Sequence, residues 1–116
     1  MANQSLFGVH GAALALRSQR LSMLASNIAN AGTPGYRARD IDFNQAMQLA
    51  GRGQGAEEAA ENSVAYRIPV TPSLDGNTVE LSTEQTLFAE NAVQYRTPLS
   101  FLEGRINTIR RALKGE

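Results

Sequence analysis

The chain has no cysteine, a single histidine and no excess of either charge. Without thiols it can build neither a disulfide scaffold nor a thiolate metal site. With His10 as the sole imidazole, zinc sites and most nucleophile–base pairs are excluded by inventory. Lys plus Arg and Asp plus Glu both number 11, so the chain as a whole is not a polycation built for nucleic acid. No apolar run approaches the roughly 20 residues that span a bilayer, so direct membrane insertion is not expected. A secretory leader is also missing from the pattern. Residues 1–6 carry no Lys or Arg, and the apolar stretch after them is broken by Gly8, His10 and Gly11. If the protein works outside the cytoplasm, the expectation is export without a cleaved leader.

At 116 residues the chain has room for one small domain. Its charge is unevenly placed. Residues 1–39 hold Arg17, Arg20, Arg37 and Arg39 and no acid, Glu57 to Glu61 is acidic, and the tail is basic through Arg105, Arg110, Arg111 and Lys114. Two readings stand: solvated helix faces, or basic ends that meet acidic partner surfaces.

A first helix is expected over residues 5–31. Phe7, Leu14, Leu21 and Ile28 recur every seven residues, with Leu24 between them. A second stripe through Leu6, Val9, Ala13, Leu16 and Met23 widens the apolar face, so the helix needs more than one neighbour. Gly32 stops it, and Thr33-Pro34-Gly35 forces a turning exit. Residues 41–50 suit a short helix. Residues 51–63 (GRGQGAEEAAENS) carry no large apolar side chain and read as a flexible loop outside the core.

Between residues 64 and 81 the texture changes to strand and turn. Tyr66, Ile68 and Val70 alternate, Asp75-Gly76-Asn77 is a turn, and Thr78 to Leu81 is a second extended run. An irregular β-hairpin is expected. Ser82 with Gln85 then forms a capping box for a helix over 82–114. Along it Phe88, Ala92, Tyr95, Leu99, Leu102, Ile106, Ile109 and Leu113 follow in steps of four and three, a heptad seam of about 26 residues. Pro98 interrupts the seam and predicts a kink. The fold class is mainly α: long N- and C-terminal helices paired as a coiled-coil-like hairpin, with a small β-hairpin and a loop between. A single pair would leave the second stripe of the first helix wet, so partners are implied.

The candidate chemistry is thin. Asp40, Asp42 and Asn44 have the spacing that opens a calcium loop, but Gln45 and Gly51 stand where that loop needs glycine and glutamate. The glycines at 51, 53 and 55 lack the strand before and the Lys-Ser/Thr after that a phosphate loop requires. No catalytic, cofactor or metal residues are assigned, and an enzyme is not expected. The basic tail suits a nucleic acid, an anionic membrane surface or a partner groove, but its aromatics lie on the apolar seam. Favourable interaction with the helix dipole accounts for late cations without a ligand, and no nucleic acid is assigned.

The stretch LASNIANAGTPGYRARDIDF, residues 24–43, resembles the N-terminal signature of the flagellar basal-body rod and hook family. Ala25, Asn27, Ile28, Ala29, Asn30, Thr33, Pro34, Gly35 and Tyr36 match its pattern. Residues 37–43, 72–79, 88–95 and 99–105 are similar to the proximal-rod member. The resemblance spans about residues 14–43 and 66–113, and it implies one rod-type domain over 1–116. It implies a structural subunit exported through the flagellar type III apparatus without a cleaved signal, located in the periplasm-spanning rod. The terminal helices would pair and self-associate in a helical assembly, with no cofactor. The assembly surface would carry Phe7, Leu14, Leu21, Ile28, Phe88, Tyr95, Leu99, Leu102, Ile106, Ile109 and Leu113. Implied partners are other rod subunits, the rod-base adaptor, the export gate and the membrane ring. Asn27 and Asn30 would bond backbone groups at the helix end, and Thr33 to Tyr36 would shape the turn. The competing reading is a coiled-coil adaptor or export-related binding protein that uses the same seams without polymerising.

Overall fold

The computed structural model describes residues 6–115, with side-chain surroundings from Gly8 onward. Ser5 and the side chain of Phe7 lie outside the described residues. Two helices dominate: α1 (Leu6–Ala29) and α4 (Leu81–Lys114), run antiparallel along a molecule of 64 × 27 × 17 Å. At about 1.5 Å per residue, α4 alone is about 51 Å long. Against α1 sit β1 (Arg39–Ile41), α2 (Phe43–Gly51) and α3 (Ala56–Glu61), and β2 (Val64–Tyr66) pairs with β1. The molecule is thus mainly helical, with a two-stranded antiparallel sheet between its long helices.

The small elements form one apolar cluster with the long helix. Leu16 of α1 is buried among Ile41, Ala46, Ala59 and Ala60, with Met23, Phe43, Met47 and Leu49 packed around them. The second stripe of α1 is therefore covered at Leu16 and Met23 by the chain itself. The helix does have more than one neighbour, as expected, but at Leu16 and Met23 that neighbour is the chain's own small elements rather than a partner.

The segment 51–63 is corrected too. It contains α3, whose Ala59 and Ala60 are buried in that cluster. Alanine is the best helix former, and Glu57 and Glu58 in the first turn complement the positive end of the helix dipole. A methyl group suffices for burial where backbones approach closely, so a core contact needs no large side chain. Asp42 starts α2 by accepting the backbone N–H of Gln45 at 3.1 Å.

The small sheet also differs from its expected pairing. Val64–Tyr66 pairs with Arg39–Ile41, with Arg39 opposite Tyr66 and Ile41 opposite Val64. The extended run at Thr78 instead bonds to the exit from α1. Thr78 N donates to Tyr36 O at 2.9 Å, Ala38 N to Thr78 Oγ1 at 2.8 Å, and Gly35 N to Asp75 O at 2.8 Å. Residues 35–41 thus run between two neighbours that sequence proximity had paired with each other.

Helix α4 begins one residue early and without the capping box. Glu80 occupies the N-cap with no side-chain cap bond, and Ser82 and Gln85 are exposed. The Glu80 carboxylate is turned toward the Val70 N–H, 3.2 Å away. Pro98 lies inside a helix that continues on both sides of it and ends at Gly115 in a left-handed cap, φ 73°.

Candidate functional site

The helix pair is held by polar rungs. At one end Asn27 Nδ2 donates to Glu84 Oε1 at 2.9 Å, and both side chains are fully buried. In the middle Asn91, also buried, donates to the Arg17 carbonyl at 2.9 Å and accepts from the Arg17 guanidinium at 3.3 Å. Toward the other end His10 stacks on Phe101, ring centroids 4.0 Å apart. His10 is a packing residue here, and no group of acidic, His or Cys side chains among the described residues could hold a metal.

The buried positions of α4 are Glu84, Asn91 and Pro98, a strict seven-residue repeat. The seam that faces α1 is therefore rotated from the expected one. Phe88, Tyr95, Leu99 and Leu102 flank it half-buried, while Ile106, Ile109 and Leu113 are exposed at 46%, 51% and 83%. On α1, Leu14, Leu21 and Ile28 are likewise half-buried, and the full burial falls on Leu16, Leu24 and Asn27.

Around the Asn27–Glu84 rung lies a chain of alternating charges. Asp40 receives Arg20 through a two-pronged contact at 2.8 and 2.9 Å and Arg67 at 3.2 Å. Arg67 then bonds both carboxylate oxygens of Glu84 at 3.0 and 3.1 Å. Burial pushes the Asp40 carboxyl up, but hydrogen bonds from Arg20 and the Ile41 N–H, with the charges of Arg20 and Arg67, hold it below the usual range. For Arg67, burial pulls the guanidinium down and Glu84, then Asp40, more than offset it, so its proton is held more tightly. Arg17 goes the other way, lowered by burial and by neighbouring Arg20; its guanidinium sits 3.6 Å above the Phe43 ring. Two of the four N-terminal cations, Arg17 and Arg20, are thus turned inward, and Arg37 lies over Tyr66 at 4.1 Å. The tail cations stand exposed.

The signature residues gather at the exit from α1. Thr33-Pro34-Gly35-Tyr36 closes a turn, with Tyr36 N bonded to Thr33 O at 3.2 Å and Gly35 at φ 76°. Proline then glycine at the two centres is the chemistry of a type II turn. Tyr36 carries its hydroxyl back to Ser26 at 3.1 Å and to Asn27 Oδ1 at 3.2 Å. Asn27 Nδ2 also donates to the Arg39 carbonyl at 2.6 Å, and its Oδ1 accepts the Arg39 N–H at 3.1 Å. Asn30 donates to Ser26 O and accepts from Thr33 Oγ1. Ala25 is exposed and makes no such contact. The apolar groove beside Pro98, a cavity of about 320 Å³, lies between α1, α4 and Phe43.

Sequence reasoning missed Arg20, Asp40, Arg67, Asn77, Glu84 and Asn91. Asn77 closes the end of α1 from a distance: its amide donates to the carbonyls of Asn30, Ala31 and Thr33 at 2.9, 3.0 and 2.7 Å. Glu84 and Asn91 stand seven apart, but the expected steps lead back from Phe88 to Gln85 and forward to Ala92, so the apolar pattern carried no signal for them.

The same landmarks have relatives. The sequence model of the family described as flagella basal body rod protein matches residues 7–37, the span of α1 and its turn. The chain is 49% identical to the flagellar basal body rod protein FlgB of Cereibacter sphaeroides over 120 residues, 94% of each chain. It is 42% identical to the FlgB of Aeromonas hydrophila, covering 95% of this chain and 93% of the relative. It is 42% identical to the Escherichia coli FlgB over 88% of each. With identity at that level running through both long helices and the turn between, the chain belongs to the flagellar basal body rod protein family.

Proposed function

We propose that this structural subunit of the proximal rod assembles by covering, with neighbouring copies and other rod subunits, the apolar ridge that its own fold leaves open on α4. Its relatives are named for a rod protein, and it is a structural protein, not an enzyme. The observation that supports the assembly reading is the exposure of Ile106, Ile109 and Leu113 on a helix whose preceding turns are tied to α1. Apolar ridges of that kind on a soluble molecule mark contact surfaces. The half-buried Leu14, Leu21, Ile28, Phe88, Tyr95, Leu99 and Leu102 would carry contacts further along the helix pair, and contact with the rod-base adaptor, the export gate and the membrane ring would follow from a place at the rod base. Passage through the type III apparatus without a cleaved signal, to a periplasm-spanning rod, belongs to this reading.

Charged replacements separate assembly from folding. Because Ile106 and Ile109 are about half exposed already, Ile106→Glu and Ile109→Glu should leave the circular dichroism of the purified chain unchanged. In cells carrying the variant as the sole copy, rods and swimming should be lost. Normal swimming by both variants would overturn the proposal.

A further inference from the structure

We propose that the apolar groove beside Pro98 is the socket for the C-terminal end of α4 from a second copy of this chain. The inference rests on the reading of α4 as an assembly surface and says where that surface docks.

The groove is lined by Val9 and Ala13 of α1, Phe43, and Gln94, Thr97 and Pro98 of α4, with a volume of about 320 Å³. Gln94 and Thr97 are exposed there, and Pro98 is buried.

The C-terminal end of α4 has the complementary chemistry. Ile106, Ile109 and Leu113 form an exposed ridge, and Arg105, Arg110, Arg111 and Lys114 stand exposed around it. Beside the groove lie exposed acids: Glu90 is one turn from Gln94 on the same side of α4, and Asp42 adjoins Phe43. The cation in the groove, Arg17, is already engaged by Asn91 and the Phe43 ring. An incoming ridge would fill the apolar space while the tail cations meet Glu90 and Asp42.

Socket and ridge are different patches of one molecule, so the contact is heterologous. Such contacts propagate into open helical arrays and do not close a dimer. The ridge centre lies about 13 residues beyond the groove on α4, which sets a stagger of about 20 Å between parallel copies.

The absence of native cysteine makes the test clean. Thr97→Cys in the groove and Ile109→Cys on the ridge both replace exposed residues. Twelve residues apart on one helix, about 18 Å, they cannot close within a chain. Oxidised basal bodies from swimming cells that carry the double variant should give a ladder of linked chains, and either single variant only monomers. Swimming cells whose basal bodies yield monomer alone would overturn the socket while leaving the rod reading intact, and so would dimers from Ile109→Cys by itself. If the double variant does not assemble, the purified full chain is oxidised at high concentration and its linkages mapped. A 97–109 linkage between chains supports the socket, and its absence overturns it. The rod reading has its own test: intact rods in cells lacking the gene would refute it.

Discussion

Asn27 uses its whole side chain: the amide nitrogen gives two hydrogen bonds and the oxygen takes two, joining α1 to α4 and to the turn that leaves it. Its partner Glu84 is fully buried, with the Arg67 guanidinium as counter-charge. Removing Glu84 would take both its hydrogen bonds from Arg67, leaving that cation Asp40 alone, and one acceptor from Asn27, so Glu84→Ala should lose about 3 kcal/mol in urea unfolding. A loss below about 1 kcal/mol would show that the network contributes little. Asp40 gives the pH dependence. Its carboxyl is held below the usual value in the folded state, so it binds its proton less readily there than in the unfolded chain. The stabilisation is then present above about pH 4 and is lost as the pH falls through the folded-state value. Urea unfolding between pH 6 and pH 2.5 should show that loss, and Asp40→Asn should flatten it; an unchanged slope would assign the acid sensitivity to other groups. Little of this was legible beforehand. A heptad search rewards apolar side chains and slid one position off a seam whose central residues are Glu84, Asn91 and Pro98. Polar residues there fix which rung meets which, a specification that apolar residues alone leave loose.

Helix α3 shows the same failure at the level of the element. Both long helices, the short α2 and the turn at Thr33-Pro34-Gly35-Tyr36 were readable from periodicity and turn chemistry. AEEAAE was not, because six residues give too little period to see and the buried positions are alanines. Packing decides the matter, and packing can be tested. Ala59 is wholly buried against α1 and α2, so Ala59→Leu should overfill the cluster and cost about 1–3 kcal/mol. In a flexible loop the same change would be silent, so an unaltered urea midpoint would return the segment to that description. The strands were readable as extended runs but not as partners: Val64–Tyr66 reaches back to Arg39–Ile41, and Thr78 to the Tyr36 and Ala38 backbone. Those pairings depend on where Asn77 holds the end of α1, which no local pattern contains.

Across the molecule, stability should fall from one end to the other. The charge chain, the Asn77 clamp and the apolar cluster all gather around residues 16–33, in α1 and the turn after it, and residues 77–91, which lead into α4. Past the His10–Phe101 stack, α4 is exposed at every residue from Glu103 to Lys114. Amides there depend on intrahelical bonds alone, and a helix end without tertiary packing opens at little cost. Hydrogen exchange of the dilute monomer should therefore protect residues 16–29 and 84–98 to near the global unfolding free energy, with residues 104–114 exchanging many-fold faster. Incorporation into a rod should slow the second group most, because it has the most cover to gain, and should change residues 16–29 and 84–91 little. Uniform protection along α4 in the monomer would mean that its exposed ridge is stable without neighbours, and the link between exposure and assembly would be lost.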